Sequence, residues 1–169
     1  NQLPVVVCSL GDASVTEGEV SEALQFAVLK QLPVIYLVQD NGWGISVRAE
    51  EARAMDACEY AAGFPGLEKV RIDGSNFAES YDAMRRIIQY VRTNRSPYLV
   101  QAKVPLLGHH TSGVRKEFYR SQEDWEKHAA DDPVPRMRQA LLAAGMHADQ
   151  LASIEQRAAQ LVAEDFARA

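Results

Sequence analysis

Two residues with the chemistry of a hard-cation site stand at fixed places in the chain: Asp12, in Ser9-Leu10-Gly11-Asp12-Ala13-Ser14, and Asn41, 29 positions later, in Asp40-Asn41-Gly42-Trp43. An aspartate carboxylate, an asparagine carbonyl and a free backbone carbonyl are hard oxygen donors. Magnesium takes such donors and usually completes its octahedron with phosphate oxygens and water. Gly11 allows close backbone approach, and a helix beginning just beyond it would offer free amides and a positive dipole end to a diphosphate. A third feature is Gly108-His109-His110, in a stretch without periodicity. An imidazole near neutral pH can both donate and accept a proton.

These residues matter only if the fold brings them together, and the surrounding pattern predicts that it does. Val5 to Cys8 is a short β-branched run between Pro4 and Gly11, and reads as a strand buried on both faces. Val20, Ala23, Leu24, Ala27 and Val28 recur with helical spacing. Thr16 and Glu19 have capping-box spacing at that helix's start, and Pro33 ends it near Leu32. Val34 to Val38 is a second buried strand, followed by turn residues Asp40-Asn41-Gly42. A short helix is expected over 54–63, and a third strand over 69–74. A long helix follows to about Asn94, with a capping box at Asn76 and Glu79 and a stripe of Phe77, Tyr81, Met84, Ile88 and Val91. Tyr98 to Ala102 is a fourth strand. Strands alternating with helices imply a parallel sheet with helices on both faces. Ligands of such sheets bind beyond the carboxyl ends of the strands, where Asp12 and Asn41 both fall.

Beyond Pro105 the pattern breaks. Gly108 and Gly113 loosen the backbone and no apolar period anchors 107–120, so the segment is expected to be mobile until a ligand fills the site. Helices resume from Arg136 to Ala144, and again around Leu151, Ile154, Ala158, Leu161 and Val162. The expected organisation is a diphosphate- and magnesium-binding α/β domain over 1–104 that lacks an upstream portion, an active-site loop region over 105–132, and a C-terminal helical extension over 133–169.

With 169 residues, 47% hydrophobic and 24% charged, the chain can bury a sizeable core and is not disordered. A net charge of −5 argues against a general nucleic-acid or anionic-membrane binder. No apolar run is long enough to span a bilayer. The opening Asn1-Gln2-Leu3-Pro4 has no initiator Met and no signal-peptide n-region. Cys8 and Cys58 lack metal-ligand spacing and read as buried hydrophobes, which suits a reducing compartment: cytoplasm, or the mitochondrial matrix in a eukaryote.

Taken in order, these motifs resemble a known family. Gly-Asp-Ala followed by Asp-Asn-Gly-Trp-Gly-Ile-Ser looks like the thiamine diphosphate motif, which begins Gly-Asp-Gly and ends in Asn-Asn. Gly18-Glu19, Glu22-Ala23, Gly63-Phe64-Pro65-Gly66, Val70-Arg71-Ile72-Asp73-Gly74 and Gly108-His109-His110 resemble the α component of the 2-oxo acid dehydrogenases. The resemblance covers most of the chain and fades after about residue 145. It implies a three-layer thiamine diphosphate-binding fold, with Asp12, Asn41 and the Trp43 carbonyl holding magnesium. Gly11, Ala13 and Ser14 would lie along the diphosphate. His110 would reach the cofactor's reactive region and serve decarboxylation of a 2-oxo acid or acyl transfer to lipoyl. A β component or β domain, and a lipoyl-bearing acyltransferase, are the implied partners. The β partner would supply the glutamate that activates the aminopyrimidine, so this chain alone should be inactive.

Three positions depart from the pattern. Ala13 replaces a glycine, Asp40 replaces the first Asn of the pair, and Gln39 stands where branched-chain relatives can carry a basic residue. Gln39 could hydrogen-bond the diphosphate but not neutralise it, and Asp40 adds a negative charge unless it points away. Gly-His-His leans towards branched-chain substrates, ahead of pyruvate and acetoin. Thr111 and Ser112 fall where some relatives carry a phosphoserine. His109 reads as loop-stabilising, and His128 and His147 as surface residues. The Trp43 indole reads as packing, and Arg115, Tyr119 and Arg120 as ordering the loop or as a solvated face. Two competing readings are a phosphate-binding domain without decarboxylase chemistry and a noncatalytic assembly module.

Overall fold

The β-branched runs form the strands Val6–Gly11 (β1), Val34–Asp40 (β2), Glu68–Asp73 and Tyr98–Lys103. A two-residue pair, Trp43–Gly44 (β3) and Val47–Arg48 (β4), follows β2, so the later two main strands are β5 and β6. In this computed structural model, which describes residues 3–169, the four main strands make one parallel sheet of order β1-β2-β6-β5. The reading of Asn1 and Gln2 lies outside the described residues. The expected α/β class with a mainly parallel sheet is what is found.

Side-chain alternation divides the core between the two faces of the sheet. Tyr36, Val38 and Leu99 pack with Leu24 and Ala27 of α1 (Gly18–Lys30). The same cluster holds Ala57, Cys58 and Ala61 of α3 (Ala57–Ala61), which follows the single turn α2 (Ala49–Ala52). On the other face, Ile35, Ile72, Val100 and Ala102 meet Ala83, Ile87 and Val91 of α4 (Phe77–Asn94).

Several local expectations are corrected. β1 forms, but its side chains are exposed, Val6 at 59% and Val7 at 49%, because it is the outer strand and pairs with β2 alone among the described strands. Cys8 on this strand is exposed too, whereas Cys58 is buried and its thiol is pushed up by that burial. Helix α1 begins one residue too late for the Thr16 box; its cap residue is Glu17, which makes no side-chain cap bond. The helix expected over 54–63 shrinks to α3, capped by Asp56. Its carboxylate accepts from Glu59 N and takes two bonds from Arg71 of β5, at 2.8 and 2.9 Å. Burial opposes that charge, but the guanidinium outweighs it and holds the Asp56 carboxyl below the usual range. At α4, Asn76 accepts from Glu79 N, while the Glu79 carboxylate turns to Asp73 N instead of closing the box. The buried stripe of α4 is Ala83, Ile87 and Val91; Phe77 and Tyr81 stack on each other in the open.

The stretch after β6 is more structured than its composition suggests. It contains a nine-residue helix, α5 (Gln122–Ala130), whose Asp124 amide donates to the Ser121 hydroxyl at 3.2 Å. Residues 1–132 form one unit and 133–169 another. The second unit holds α6 (Pro133–Ala143) and α7 (Ala148–Arg168), joined through Gly145 at φ 93° and bridged by Arg138 and Glu155 at 3.3 Å. Among the described residues no helix is long and apolar enough to cross a membrane.

Candidate active site at the strand ends

The parallel register carries Gly11 beside Gln39 and Asp40 beside Lys103, so the ends of β1, β2 and β6 lie side by side. Asp12 opens a 3₁₀ turn, Asp12–Ser14, directly after β1, and is buried. The β3–β4 pair folds against that turn: a Cβ on Gly44 would meet the Ala13 Cβ at 3.0 Å, so the two segments approach closely there. Asn41 sits in the turn after β2, where Gly42 takes φ 77° and Asn41 Oδ1 accepts from Trp43 N at 2.9 Å. The Trp43 carbonyl lies 3.1 Å from His110 Nε2. The two-histidine loop thus meets the hairpin that carries Asn41.

Each oxygen proposed as a metal ligand is therefore engaged within the chain. Asp12 Oδ2 is met by the Arg53 guanidinium, and both side chains are nearly enclosed. Asn41 Oδ1 and the Trp43 carbonyl each keep a second lone pair beyond the contact described. Among the described residues no group of three His, Cys, Asp or Glu side chains could hold a metal. The donor set here is mixed, one carboxylate, one amide and one peptide carbonyl, and such a set suits a hard cation with phosphate completing the shell. A buried carboxylate that already requires a cationic partner fits that reading.

Asp40 does not carry loose charge towards the site. It is 4% exposed, and its Oδ2 takes bonds from Lys103 Nζ and Gln101 Nε2, each at 2.6 Å, while Oδ1 accepts from Gly42 N at 3.2 Å. Burial would raise its pKa, but Lys103 and Gln101 outweigh burial and hold the carboxyl below the usual range. Gln101 also accepts from Cys58 N at 3.0 Å, which ties α3 to the same network. Gln39 is exposed and accepts from Ser9 Oγ at 3.1 Å. Gly11 and Ser14, on either side of Asp12 and Ala13, are exposed.

The wall opposite the hairpin comes from the stretch after β6. A cleft of about 530 Å³ is lined there by Asp40, Asn41, Trp43, Lys103, Asp124 and His128, among others. Trp43 is buried, with Tyr119 at 5.5 Å ring to ring and the Arg120 guanidinium 5.7 Å over its face. Arg120 is buried, donates to the Leu106 carbonyl at 2.7 Å and pairs with Asp124. His128 is not a surface residue: Nδ1 accepts from Leu106 N at 2.8 Å, and burial lowers its pKa. His109 does stabilise the loop, accepting from Lys116 N at 3.2 Å. Lys116 in turn reaches the Leu107 carbonyl and lies 4.8 Å over the Trp125 ring. Polar and cation–π contacts anchor this segment, and an apolar periodicity cannot reveal those. Arg115 is exposed and pairs with Glu117. Thr111 pairs with Val114 across the loop tip.

Arg53, Gln101 and Lys103 are not legible in the sequence as site residues, whereas Arg120 is, as one of the candidates for ordering the loop. Gln101 and Lys103 gave a faint signal, being polar in an otherwise apolar strand. Arg53 gave none, as one of several charges in an acidic run.

A parallel sheet with a polar crevice at its carboxyl ends defines a ligand-binding α/β class. A transketolase structure from Pichia stipitis shares the fold over 83% of this chain and 25% of its own, with a TM-score of 0.51 at 20% identity. The family model described as "Dehydrogenase E1 component" matches residues 1–169, and the chain belongs to that family. A Mycobacterium tuberculosis protein called 3-methyl-2-oxobutanoate dehydrogenase subunit alpha is 34% identical over 147 residues, 87% of this chain and 40% of that protein. The human mitochondrial 2-oxoisovalerate dehydrogenase subunit alpha is 28% identical, covering 83% of this chain and 32% of its own length. The Rickettsia bellii pyruvate dehydrogenase E1 component subunit alpha is 31% identical, covering 92% and 48%. The chain thus spans a third to a half of the length of these relatives.

Proposed function

We propose that this chain is the diphosphate-binding part of the α component of a thiamine diphosphate- and magnesium-dependent 2-oxo acid dehydrogenase. The observation that carries the reading is the junction of His110 with the Trp43 carbonyl, in the hairpin that also bears Asn41 and folds onto the Asp12 turn. Asp12, Asn41 Oδ1 and the Trp43 carbonyl are the oxygens that would hold magnesium. Gly11, Ala13, Ser14 and the amide of Gln39 would line the diphosphate. When bound, the cofactor supplies the carbanion chemistry of decarboxylation, and the protein orients and insulates it.

His110 is the residue of this chain that would move a proton at the reacting centre. Its Nε2 already faces the hairpin, and a small loop movement exchanges the Trp43 carbonyl for a substrate or acyl group. The Trp43, Tyr119 and Arg120 stack excludes water from that wall. A β component or β domain would complete the site, a lipoyl-bearing acyltransferase would take the acyl group, and the chain alone would be inactive. We place the protein in the cytoplasm, or in the mitochondrial matrix of a eukaryote.

Branched-chain 2-oxo acids are the preferred substrates. Gly108-His109-His110 favours them, and relatives named for branched-chain oxo acids match at 34% and 28%. Pyruvate is the second reading, supported by the Rickettsia relative. Steady-state kinetics of the full-length protein with its β partner, across a 2-oxo acid panel, decide between them. Highest kcat/KM on 3-methyl-2-oxobutanoate is expected; highest on pyruvate would reverse the preference, and no turnover on any member would end the reading.

A further inference from the structure

The Arg53 ion pair is not explained by any role derived above. Its guanidinium meets Asp12 Oδ2 in a place where the Arg53 and Asp12 side chains are only 9% and 5% exposed. Asp40, the second buried carboxylate, faces the same cleft of about 250 Å³ and already has Lys103. The two buried carboxylates of this cleft thus each have a cation of their own, Arg53 on Asp12 and Lys103 on Asp40.

We propose that Arg53 is a cation placeholder: its guanidinium holds Asp12 in the metal-free protein, and a divalent ion must displace it to bind. This inference rests on the reading of Asp12 as a metal ligand. A divalent ion entering with Arg53 in place would put three positive charges on one enclosed carboxylate. At low exposure that repulsion is strong. If Arg53 leaves, the ion inherits a carboxylate that the fold has kept enclosed and held in place.

The local chain is built for such an exchange. Ala49 N donates to the Gly42 carbonyl at 2.9 Å, and Arg53 N donates to the Ala49 carbonyl at 2.9 Å. The backbone of Arg53 is thereby fixed to the turn that carries Asn41, while its side chain lines an open cleft into which it can swing. Ala52, Ala54 and Met55, beside it in the chain, are exposed.

The test is a titration of the full-length protein with Mn²⁺ alone, read by the electron paramagnetic resonance of the free ion. Thermal melts of every variant accompany it. Arg53→Gln should bind Mn²⁺ roughly tenfold or more tightly, the scale of a buried charge-assisted hydrogen bond given up on binding. The same variant should melt lower without metal. Arg53→Lys keeps the charge with poorer geometry and should fall between the two; it also serves if the Gln variant does not fold. Asp12→Asn should lose the site. Unchanged or weaker Mn²⁺ binding in the Arg53 variants, with Asp12→Asn still abolishing it, would overturn the placeholder and leave the ligand assignment standing. Mn²⁺ binding in Asp12→Asn equal to the parent would overturn the ligand assignment itself, and the placeholder with it.

Discussion

At the scale of single residues, the charge balance around Asp40 governs the site. The sequence presents Asp40 as a surplus negative charge beside Asn41. In the fold its cross-strand neighbour Lys103 neutralises it, and Gln101 holds it from below. Nothing in a linear reading joins positions 40, 101 and 103, because strand register creates the contact. Asp12 and Asn41 stand out by residue type and spacing and His110 by its motif, and the fold brings the turns that carry them to one end of the sheet. Replacing Lys103 by Met should cost about 2 kcal/mol at pH 7, the scale of a hydrogen bond to a charged group. The Asp40 carboxyl is held below its unfolded value, so its stabilisation is present above the unfolded pKa and lost as pH falls through the folded one. In urea unfolding the gap between parent and Lys103→Met should therefore begin to narrow near the unfolded carboxylate value, about pH 4, and close only below the folded one. A gap that persists unchanged into acid contradicts the pairing. His128 gives a second pH signature. Burial lowers its pKa, so its neutral form stabilises the fold above the unfolded histidine value, and that contribution is lost on acidification through the lower folded value. Protonation removes the acceptor of the Leu106 amide, so protection of that amide relative to its intrinsic exchange rate should fall on acidification. Exchange that follows the intrinsic trend alone would count against it.

At the scale of elements, strands β2, β5 and β6 and helices α1 and α4 were readable within a few residues, because burial imposes a clear period on each. Helix α5 was missed, although Ser121 and the acidic Glu123 and Asp124 followed by Lys127 and His128 form an ordinary helix start and finish. Its apolar face is replaced by Trp125 and polar anchors, so no hydrophobic period marks it. The exposed β1 was misread for the opposite reason: a β-branched run reports strand propensity, not what covers it. The end of β5 is where an element position matters most for the site. A Cβ on Gly74 would lie 2.7 Å from Val104 Cγ1 and 2.8 Å from the Lys103 carbonyl. Gly74→Ala should destabilise by about 1–3 kcal/mol through overpacking and shift Lys103 away from Asp40. Thermal unfolding checks the first effect. If Gly74→Ala melts with the parent, the close approach is not rigid.

At the scale of the whole molecule, the parallel sheet converts three distant segments, 11–14, 39–43 and 108–110, into one crevice. The loop contacts of Lys116, His109 and Arg120 keep the histidine pair over it. His110→Ala in the assembled enzyme should lower kcat by about 10²–10⁴-fold, the usual worth of general acid–base catalysis, with cofactor affinity little changed. Equal losses in cofactor binding and kcat would make His110 a binding residue instead. The central claim is that Asp12 and Asn41 share one divalent ion through which the diphosphate is held. It is tested by calorimetric titration of the full-length protein, joined to the proposed β partner, with thiamine diphosphate in the presence and absence of magnesium. The parent should bind strongly and in a magnesium-dependent way, and both Asp12→Ala and Asn41→Ala should lose that dependence with the fold retained. Magnesium-dependent binding of parental strength in both variants would contradict it.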